Sequence, residues 1–418
     1  MNPTTFTSWR NVALLTAAQS LFQTASILLV TVSGLVALVL APDRALATLP
    51  LSAMVLTGAV VMVPASLLMQ RWGRQQGFLL GTACGVAAGL LGLWSLLHHH
   101  FGAFVAANGL IGAWQAFAQY QRFAAAETAP PGQQSRAISW VMVGGVVAAL
   151  AGPALARHAR EFGEAAPWLG DEPFGAAMAA VSLLAVLAAA LTAALRGPIL
   201  QAPGGGVAAG PGAAAQAARP LRVVMAQPLF LAALTASSVA FSVMVMVMTA
   251  TPLAMAGCAL PLSASALVIQ AHVLGMFLPS FVTGSVIQRV GVLPVMALGL
   301  LLMAAHVVVA LSGVALWHFT TGLVLVGVGW NLLFIGASTL VTQTYTPAER
   351  AKTQAAHDVL MTTAAGLASL SAGGLLQHVG WRGLNWAVLP VLALAAGVLG
   401  WLAWRQRRGR AAHEALAA

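Results

Sequence analysis

The sequence predicts an all-α membrane protein with twelve transmembrane helices in two related six-helix halves. Three observations predict this fold class. Hydrophobic residues make up 60% of the 418 residues, charged residues only 7%, and the mean hydropathy is +0.88. A soluble domain has about 25% charged residues, so this chain carries too little charge to cover a water-facing surface. The apolar residues also form long runs, and short motifs recur at nearly one spacing.

Twelve apolar runs, numbered here as spans 1 to 12, are each long enough for a helix across the hydrocarbon core of a bilayer. The runs are continuous and rich in Ala and Leu, which favours helices over the alternating segments of about 10 residues in a membrane barrel. The first run lacks a clear small-residue cleavage site, so we interpret it as a retained helix. The spans cover 11–38, 47–69, 77–97, 102–124, 137–156, 174–195, 226–251, 262–287, 292–313, 317–342, 354–376 and 384–404.

The basic residues predict the orientation of the chain. With a cytoplasmic N-terminus, 15 of the 19 Lys and Arg residues fall on the cytoplasmic side, and the other four are Arg44, Arg157, Arg160 and Arg382. The positive-inside rule describes this bias. We therefore expect a multi-pass protein of the bacterial inner membrane with both termini cytoplasmic. The same placement argues against a nucleic-acid surface as the reason for the net charge of +10.

Several short motifs occur once in each half of the chain. Gln-Arg-x-Gly stands at 70–73 between spans 2 and 3 and at 288–291 between spans 8 and 9, an offset of 218 residues. Gly-Ala-Trp-Gln at 112–115 in span 4 corresponds to Val-Gly-Trp-Asn at 328–331 in span 10. Repeated halves are typical of secondary transporters, which bind substrate near the bilayer midplane.

The composition also predicts where the halves begin and end. Residues 197–222 are rich in Gly, Ala and Pro, which is typical of a flexible linker. We expect this linker to be cytoplasmic and to join an N-terminal half, 1–196, to a C-terminal half, 223–405. A basic cytoplasmic tail, 406–418, completes the predicted organisation.

The arrangement resembles the major facilitator superfamily (MFS) over essentially the whole chain. That family carries Gly-x-x-x-Asp-Arg-x-Gly-Arg between spans 2 and 3 and a weaker copy between spans 8 and 9. The resemblance implies that these loops form a cytoplasmic latch between the halves, which is neutral here because Gln replaces the acid. The alternative is that the glycines make tight turns and the Arg side chains anchor to lipid headgroups. The matching positions are Ser66, Gln70, Arg71, Gly73 and Arg74 in the first copy and Gly284, Gln288, Arg289 and Gly291 in the second.

Polar side chains recur at helical spacing in spans 1, 4, 7 and 10, and the resemblance implies that these four spans line a central pathway. Polar groups are costly in hydrocarbon and usually face a cavity, although they also hydrogen-bond neighbouring helices. The two tryptophans could offer apolar faces to an organic solute or pack between helices. The predicted pathway residues are Gln19, Gln23, Asn108, Trp114, Gln115, Gln119, Ser242, Trp330 and Asn331.

Asp358 is the only acid that falls inside a predicted span. A carboxyl group in a membrane is a candidate proton carrier, so we interpret Asp358 as a coupling residue. A structural role near a helix N-terminus is the alternative. His272 and His306 are further candidates for proton transfer, with neutral, packed imidazoles as the competing interpretation.

The sequence thus predicts a secondary active transporter that moves a small organic solute by alternating access, with protons as the candidate coupling ion. A drug or metabolite efflux antiporter and a uniporter remain open, although Asn108 stands where exporters of the family carry Arg. A membrane-embedded enzyme is disfavoured because such enzymes need clustered acids or histidines, whereas the predicted spans hold one acid and scattered histidines. We expect a monomer in the lipid bilayer, without a cofactor, a bound metal or a nucleic-acid partner.

Overall fold

The computed structural model describes residues 3–42, 46, 49–165, 174–197 and 219–417, and its regular elements in these ranges are helices. In chain order, the helices of spans 1 to 6 are Pro3–Leu40, Leu49–Trp72, Arg74–Leu97, Phe101–Ala118 continued by Gln121–Thr128, Gln134–Ala165 and Gly175–Ala193. A short helix, Leu221–Met225, follows. The helices of spans 7 to 12 are Pro228–Gly257, Leu262–Phe277 continued by Ser280–Val290, Val292–Ser312, Leu316–Val341, and Arg350–Ala417 for spans 11 and 12 together.

The twelve predicted spans are confirmed. The described residues contain eleven helical segments that are long and apolar enough to cross a membrane, and the last of them, Arg350–Arg408, holds two spans. These two meet at a kink at Gly380, whose φ of 67° is not helical. Glycine adopts this left-handed backbone without the steric penalty that a Cβ would bring.

The chain divides into two compact units that follow the predicted halves, except for two short segments that belong to the other unit. Unit 1 comprises 1–131, 140–217 and 350–355, and unit 2 comprises 132–139, 218–349 and 356–418. The first turns of spans 5 and 11 are therefore each assigned to the unit that does not hold the rest of their helix. Of the predicted linker, 198–218 lies outside the described residues. The predicted tail continues the helix of span 12 up to Ala417.

The repeated Gln-Arg-x-Gly motif has the same backbone geometry in both units. Gly73 has φ 89° and ψ 159° and precedes span 3, while Gly291 has φ 92° and ψ 162° and precedes span 9. Both values lie in a region that residues with a Cβ rarely occupy. Glycine is therefore required by the turn itself, which explains why the motif ends on glycine in both copies.

An aromatic pair is also duplicated. In unit 1, Phe22 meets Trp114 edge-on with ring centroids 5.2 Å apart and an interplanar angle of 69°. In unit 2, Phe241 meets Trp330 at 5.2 Å and 70°. Each pair joins the first and fourth spans of its unit, as expected for two copies of one six-helix bundle.

Glycines bring the second and fourth spans of each unit into close contact. A Cβ on Gly112 would lie 2.0 Å from the carbonyl oxygen of Met54, and one on Gly58 would lie 3.3 Å from the carbonyl oxygen of Gly112. In unit 2, a Cβ on Gly327 would lie 2.7 Å from the carbonyl oxygen of His272. Small residues at such crossings allow van der Waals packing between membrane helices.

Candidate functional site

A buried charged cluster in unit 1 joins spans 3, 4 and 11. The Glu127 carboxylate accepts hydrogen bonds from Arg74 at 2.7 Å, from Arg350 at 3.0 Å and from the Gln354 amide at 3.0 Å. Arg74 also donates to the Gln354 oxygen at 2.7 Å. The side chain of Arg74 is only 3% exposed and that of Glu127 13%. Charge-assisted hydrogen bonds of this length are strong, so the cluster fixes the first turns of span 11 within unit 1.

The first copy of the predicted latch motif supplies part of this cluster. Arg74, at its last position, makes the buried contacts, and Ser66, at its first, donates from its hydroxyl to the carbonyl oxygen of Ala351 at 2.8 Å. Gln70 and Arg71 are exposed, and Arg71 has no hydrogen bond or ion pair within the described part of the chain. The latch function of these residues stays a prediction.

The second copy of the motif, in unit 2, makes neutral hydrogen bonds instead. Ser135 donates to the carbonyl oxygen of Gly284 at 3.0 Å, and the amide of Gly284 donates to the Ser139 hydroxyl at 3.0 Å. The Gln288 side chain donates to the carbonyl oxygen of Gly132 at 2.9 Å, while Arg289 is exposed. A Cβ on Gly284 would lie 2.5 Å from the carbonyl oxygen of Ser135, so glycine permits the start of span 5 to approach.

Asp358 belongs to a second buried cluster, in unit 2. Its carboxyl oxygen lies 2.8 Å from Nδ1 of His357, and Nε2 of His357 lies 2.9 Å from the Ser237 hydroxyl on span 7. The side chains of His357 and Asp358 are 0% and 1% exposed. The Ser237 hydroxyl also donates to the carbonyl oxygen of Leu234 at 3.1 Å. Sequence reasoning missed His357, because adjacent residues on a helix do not normally face each other.

Two of the predicted pathway amides hydrogen-bond neighbouring helices. On span 4, Asn108 accepts from Ser33 of span 1 at 2.9 Å. On span 10, Asn331 donates to the carbonyl oxygen of Met276 at 2.7 Å and to Ser280 at 2.6 Å, on either side of the break in span 8. A proline at this break removes one helical donor, and the amide of Asn331 satisfies a freed carbonyl. These contacts fit the helix-bonding alternative, and solute contact stays a prediction.

The other predicted pathway residues differ in exposure. Gln23, Gln115, Gln119 and Ser242 are half-buried, whereas Gln19, Trp114 and Trp330 are buried. Gln119 accepts a hydrogen bond from Arg122 at 2.9 Å. Oε1 of Gln19 and Nε1 of Trp330 have no hydrogen-bond partner among the residues described. Buried polar atoms are normally paired, so these two atoms are exceptions within the described ranges.

The two histidines predicted as further proton carriers are fully buried. Nδ1 of His272 on span 8 lies 2.7 Å from the carbonyl oxygen of Leu323 on span 10. His306 on span 9 lies against Gly322, where a Cβ would come within 2.9 Å of its Nδ1. Both arrangements fit the packed-imidazole alternative. Across the described ranges, groups of three or more His, Cys, Asp or Glu side chains that could hold a metal are absent.

An ion pair outside the spans connects the chain entering span 7 to the loop before span 11. The Glu349 carboxylate accepts from the Arg219 guanidinium at 2.7 Å, from the Arg219 backbone amide at 2.8 Å and from the Thr346 amide at 3.0 Å. The hydrogen bonds from Arg219 hold the pKa of Glu349 well below its usual range. The same bonds raise the pKa of Arg219. The contact is specific to the folded state and was not predicted from the sequence.

Twelve membrane-crossing helices in two copies of one six-helix bundle, with charged and polar groups buried among them, define a polytopic membrane transporter. The family model of the Major Facilitator Superfamily matches residues 259–418. The riboflavin transporter RfnT of Brucella anthropi is 38% identical over 385 residues, covering 92% of this chain and 94% of that protein. The uncharacterized MFS-type transporter YdeG of Bacillus subtilis is 30% identical over 369 residues, covering 87% and 84%. The chain belongs to the major facilitator superfamily.

Solved structures agree on the fold. The E. coli fucose:proton symporter FucP matches with a TM-score of 0.71 at 14% identity, covering 93% of this chain and 98% of that chain. The proton:xylose symporter XylE matches with a TM-score of 0.74 at 13% identity, covering 93% and 94%. The predicted fold class and family are thereby confirmed.

Proposed function

We propose that this protein is a proton-coupled secondary transporter that moves a flavin-like solute by alternating access. The observation that carries the proposal is the buried pair of His357 and Asp358, which stands on the same helix as two members of the charged cluster, Arg350 and Gln354. The N-terminus, the linker and the C-terminal tail are proposed to be cytoplasmic in a bacterial inner membrane, on the basis of the distribution of the basic residues.

The geometry of the His357 pair allows it to carry one exchangeable proton. In the tautomer that we propose, Nε2 of His357 donates to the Ser237 hydroxyl, and this hydroxyl donates to the carbonyl oxygen of Leu234. Nδ1 of His357 and the Asp358 carboxyl then share one further proton over their 2.8 Å contact. Loss of this proton would place a negative charge on a side chain that is 1% exposed, and burying a charge is costly. Proton exchange thus requires a rearrangement that admits water to the pair.

Span 11 provides the mechanical link for this coupling. Gln354, which contacts both Arg74 and Glu127, precedes Asp358 by four residues and so lies one helical turn away. A change in protonation at Asp358 therefore acts on the neighbouring helix turn, which is held in unit 1 by the hydrogen bonds among Gln354, Arg74 and Glu127. We propose that proton uptake and release bias this attachment between two arrangements, as alternating access requires.

The solute class rests on the riboflavin transporter that is 38% identical to this chain and on the chemistry of the predicted pathway. The half-buried amides of Gln23 and Gln115 offer donors and acceptors to the polar edge of a planar ring system. The unpaired Nε1 of Trp330 offers a further donor. Sites for organic ligands combine apolar and aromatic walls with a few such polar groups, and a neutral site of this kind suits an uncharged, planar solute.

The test uses purified protein in liposomes and radiolabelled riboflavin. An inward proton gradient is expected to accelerate uptake by the wild type. Asp358→Asn and His357→Gln are expected to abolish this acceleration while retaining exchange of labelled for unlabelled riboflavin. Glu349→Gln is the control, because it removes a buried carboxylate outside the spans and is expected to keep the gradient response.

The outcomes separate the alternatives. An unchanged gradient response in Asp358→Asn would reject the coupling role of this residue. Riboflavin exchange without any gradient response in the wild type would favour a uniporter. If riboflavin is not exchanged, the solute assignment fails, and export of other organic compounds from inverted vesicles tests the efflux alternative.

A further inference from the structure

A groove of about 970 Å³ lies on unit 2 between spans 9 and 12. Its walls are mostly apolar and combine leucines with small residues, among them Ala297 and Ala304 of span 9 and Ala396, Gly400 and Ala403 of span 12. Leucines of its walls, such as Leu301 at 66% exposure, are open to the outside of the protein. The groove thus belongs to the surface that meets lipid and is separate from the proposed solute pathway.

The length of the groove matches one leaflet of a bilayer. Its lining on span 9 runs from Val290 to Ala304, which is about 21 Å at 1.5 Å per residue. A bilayer with its headgroup regions is about 40–45 Å thick, so one leaflet occupies about 20–22 Å. The groove therefore extends from the membrane interface to the midplane, as an acyl chain does.

Positive charge is concentrated at the interfacial end of the groove. Gln406 and Arg407 line this end, and the residues that line the groove include no carboxylate. The neighbouring guanidinium of Arg408 lies 4.3 Å from the centre of the Trp404 ring. Arg407 is exposed and has no ion pair within the part of the chain that the structure describes. Tryptophan and arginine together are typical of the membrane interface.

We propose that this groove binds one phospholipid with an anionic headgroup, whose acyl chain lies between spans 9 and 12 and whose phosphate pairs with Arg407. The positive charge at the interfacial end of the groove selects an anionic over a zwitterionic headgroup. The small residues of the walls leave room for the acyl chain. Basic pockets between transmembrane helices bind anionic lipids in this way.

The test measures retained lipid by native mass spectrometry of the full chain from micelles with phosphatidylglycerol or phosphatidylcholine. The wild type is expected to retain one phosphatidylglycerol in preference to phosphatidylcholine. Arg407→Gln is expected to reduce this preference about fivefold, the effect of one basic residue at an anionic surface. Gly400→Leu, which fills the groove, is expected to abolish retention of either lipid.

Gly397→Leu is the matched control, because it lies one turn away on span 12 and outside the lining. An added Cβ would meet nothing within 4 Å at either glycine, so both variants are expected to fold.

Equal retention by the wild type, Arg407→Gln and Gly400→Leu would overturn the proposal, as would equal loss in the two glycine variants. A dimer that Gly400→Leu dissociates would identify a second copy of the chain as the occupant instead. Displacement by inorganic phosphate alone, without effect of Gly400→Leu, would reduce the site to an anion at Arg407. These readings do not involve transport, so they are independent of the proposed function.

Discussion

Replacing Arg74 by Gln, with Arg71→Gln as its control, tests the charged cluster directly. The two arginines stand three residues apart in one motif, yet Arg74 is 3% exposed with two charged or polar partners at 2.7 Å, whereas Arg71 is exposed. Removing one member of a buried ion pair costs about 3–5 kcal/mol. A surface substitution changes the free energy of unfolding by about 0.5 kcal/mol or less.

The expected difference is large enough for a thermal-unfolding assay in detergent. At about 2–4 °C per kcal/mol for units of this size, Arg74→Gln lowers the melting temperature by about 6–20 °C. Arg71→Gln is expected to melt within about 2 °C of the wild type. Similar melting temperatures for both variants would contradict the reasoning, since the buried pairing with Glu127 would then contribute nothing.

Three further perturbations test other parts of the fold. The pKa of Glu349 is lowered, so its carboxylate stabilises the fold fully above its ordinary pKa of 4.5 and loses this effect as the pH falls. The difference in melting temperature between the wild type and Glu349→Gln is therefore expected to shrink between about pH 5 and about pH 3. A difference that stays constant over this range would refute the link between the ion pair and stability. Gly112→Ala places a Cβ 2.0 Å from the carbonyl oxygen of Met54. By forcing spans 2 and 4 apart, it is expected to lower the free energy of unfolding by about 1–3 kcal/mol. Gly397→Ala, with open space around the added Cβ, is expected to be neutral or stabilising in the same assay. Gly291→Ala, at φ 92°, is expected to cost about 1–2 kcal/mol from backbone strain alone, and an unchanged melting temperature would show that the turn relaxes.

Composition alone was sufficient to predict a membrane protein, because a chain with 7% charged residues cannot cover itself with water-facing groups. The twelve spans followed from run length, since the thickness of the hydrocarbon core sets the number of residues in a crossing helix. The repeat was visible in Gln-Arg-x-Gly, because the turn before spans 3 and 9 requires glycine at a positive φ. These features depend on local sequence, and local sequence was enough to predict them.

The partners of the buried polar groups were not predictable in this way. The motif at 70–74 indicated a neutral latch, yet its buried arginine meets Glu127 and Gln354, which are 53 and 280 residues away in the chain. Asp358 was singled out as an isolated acid, but its pairing with His357 depends on span 7, which holds the imidazole through Ser237. Arg74 finds its partners on other helices, and the imidazole that meets Asp358 is held by Ser237 of another helix. Sequence spacing carries no information about which helices these are.

By itself the sequence determined that this chain crosses a membrane twelve times in two similar halves, because hydrophobic length and glycine-dependent turns are local properties. Only the tertiary structure decided which distant polar groups meet: Glu127 with two arginines, His357 with Ser237, and Asn331 with the break in span 8. The physical reason is that a buried hydrogen bond needs its two groups within about 3 Å, and the packing of distant helices alone sets that distance.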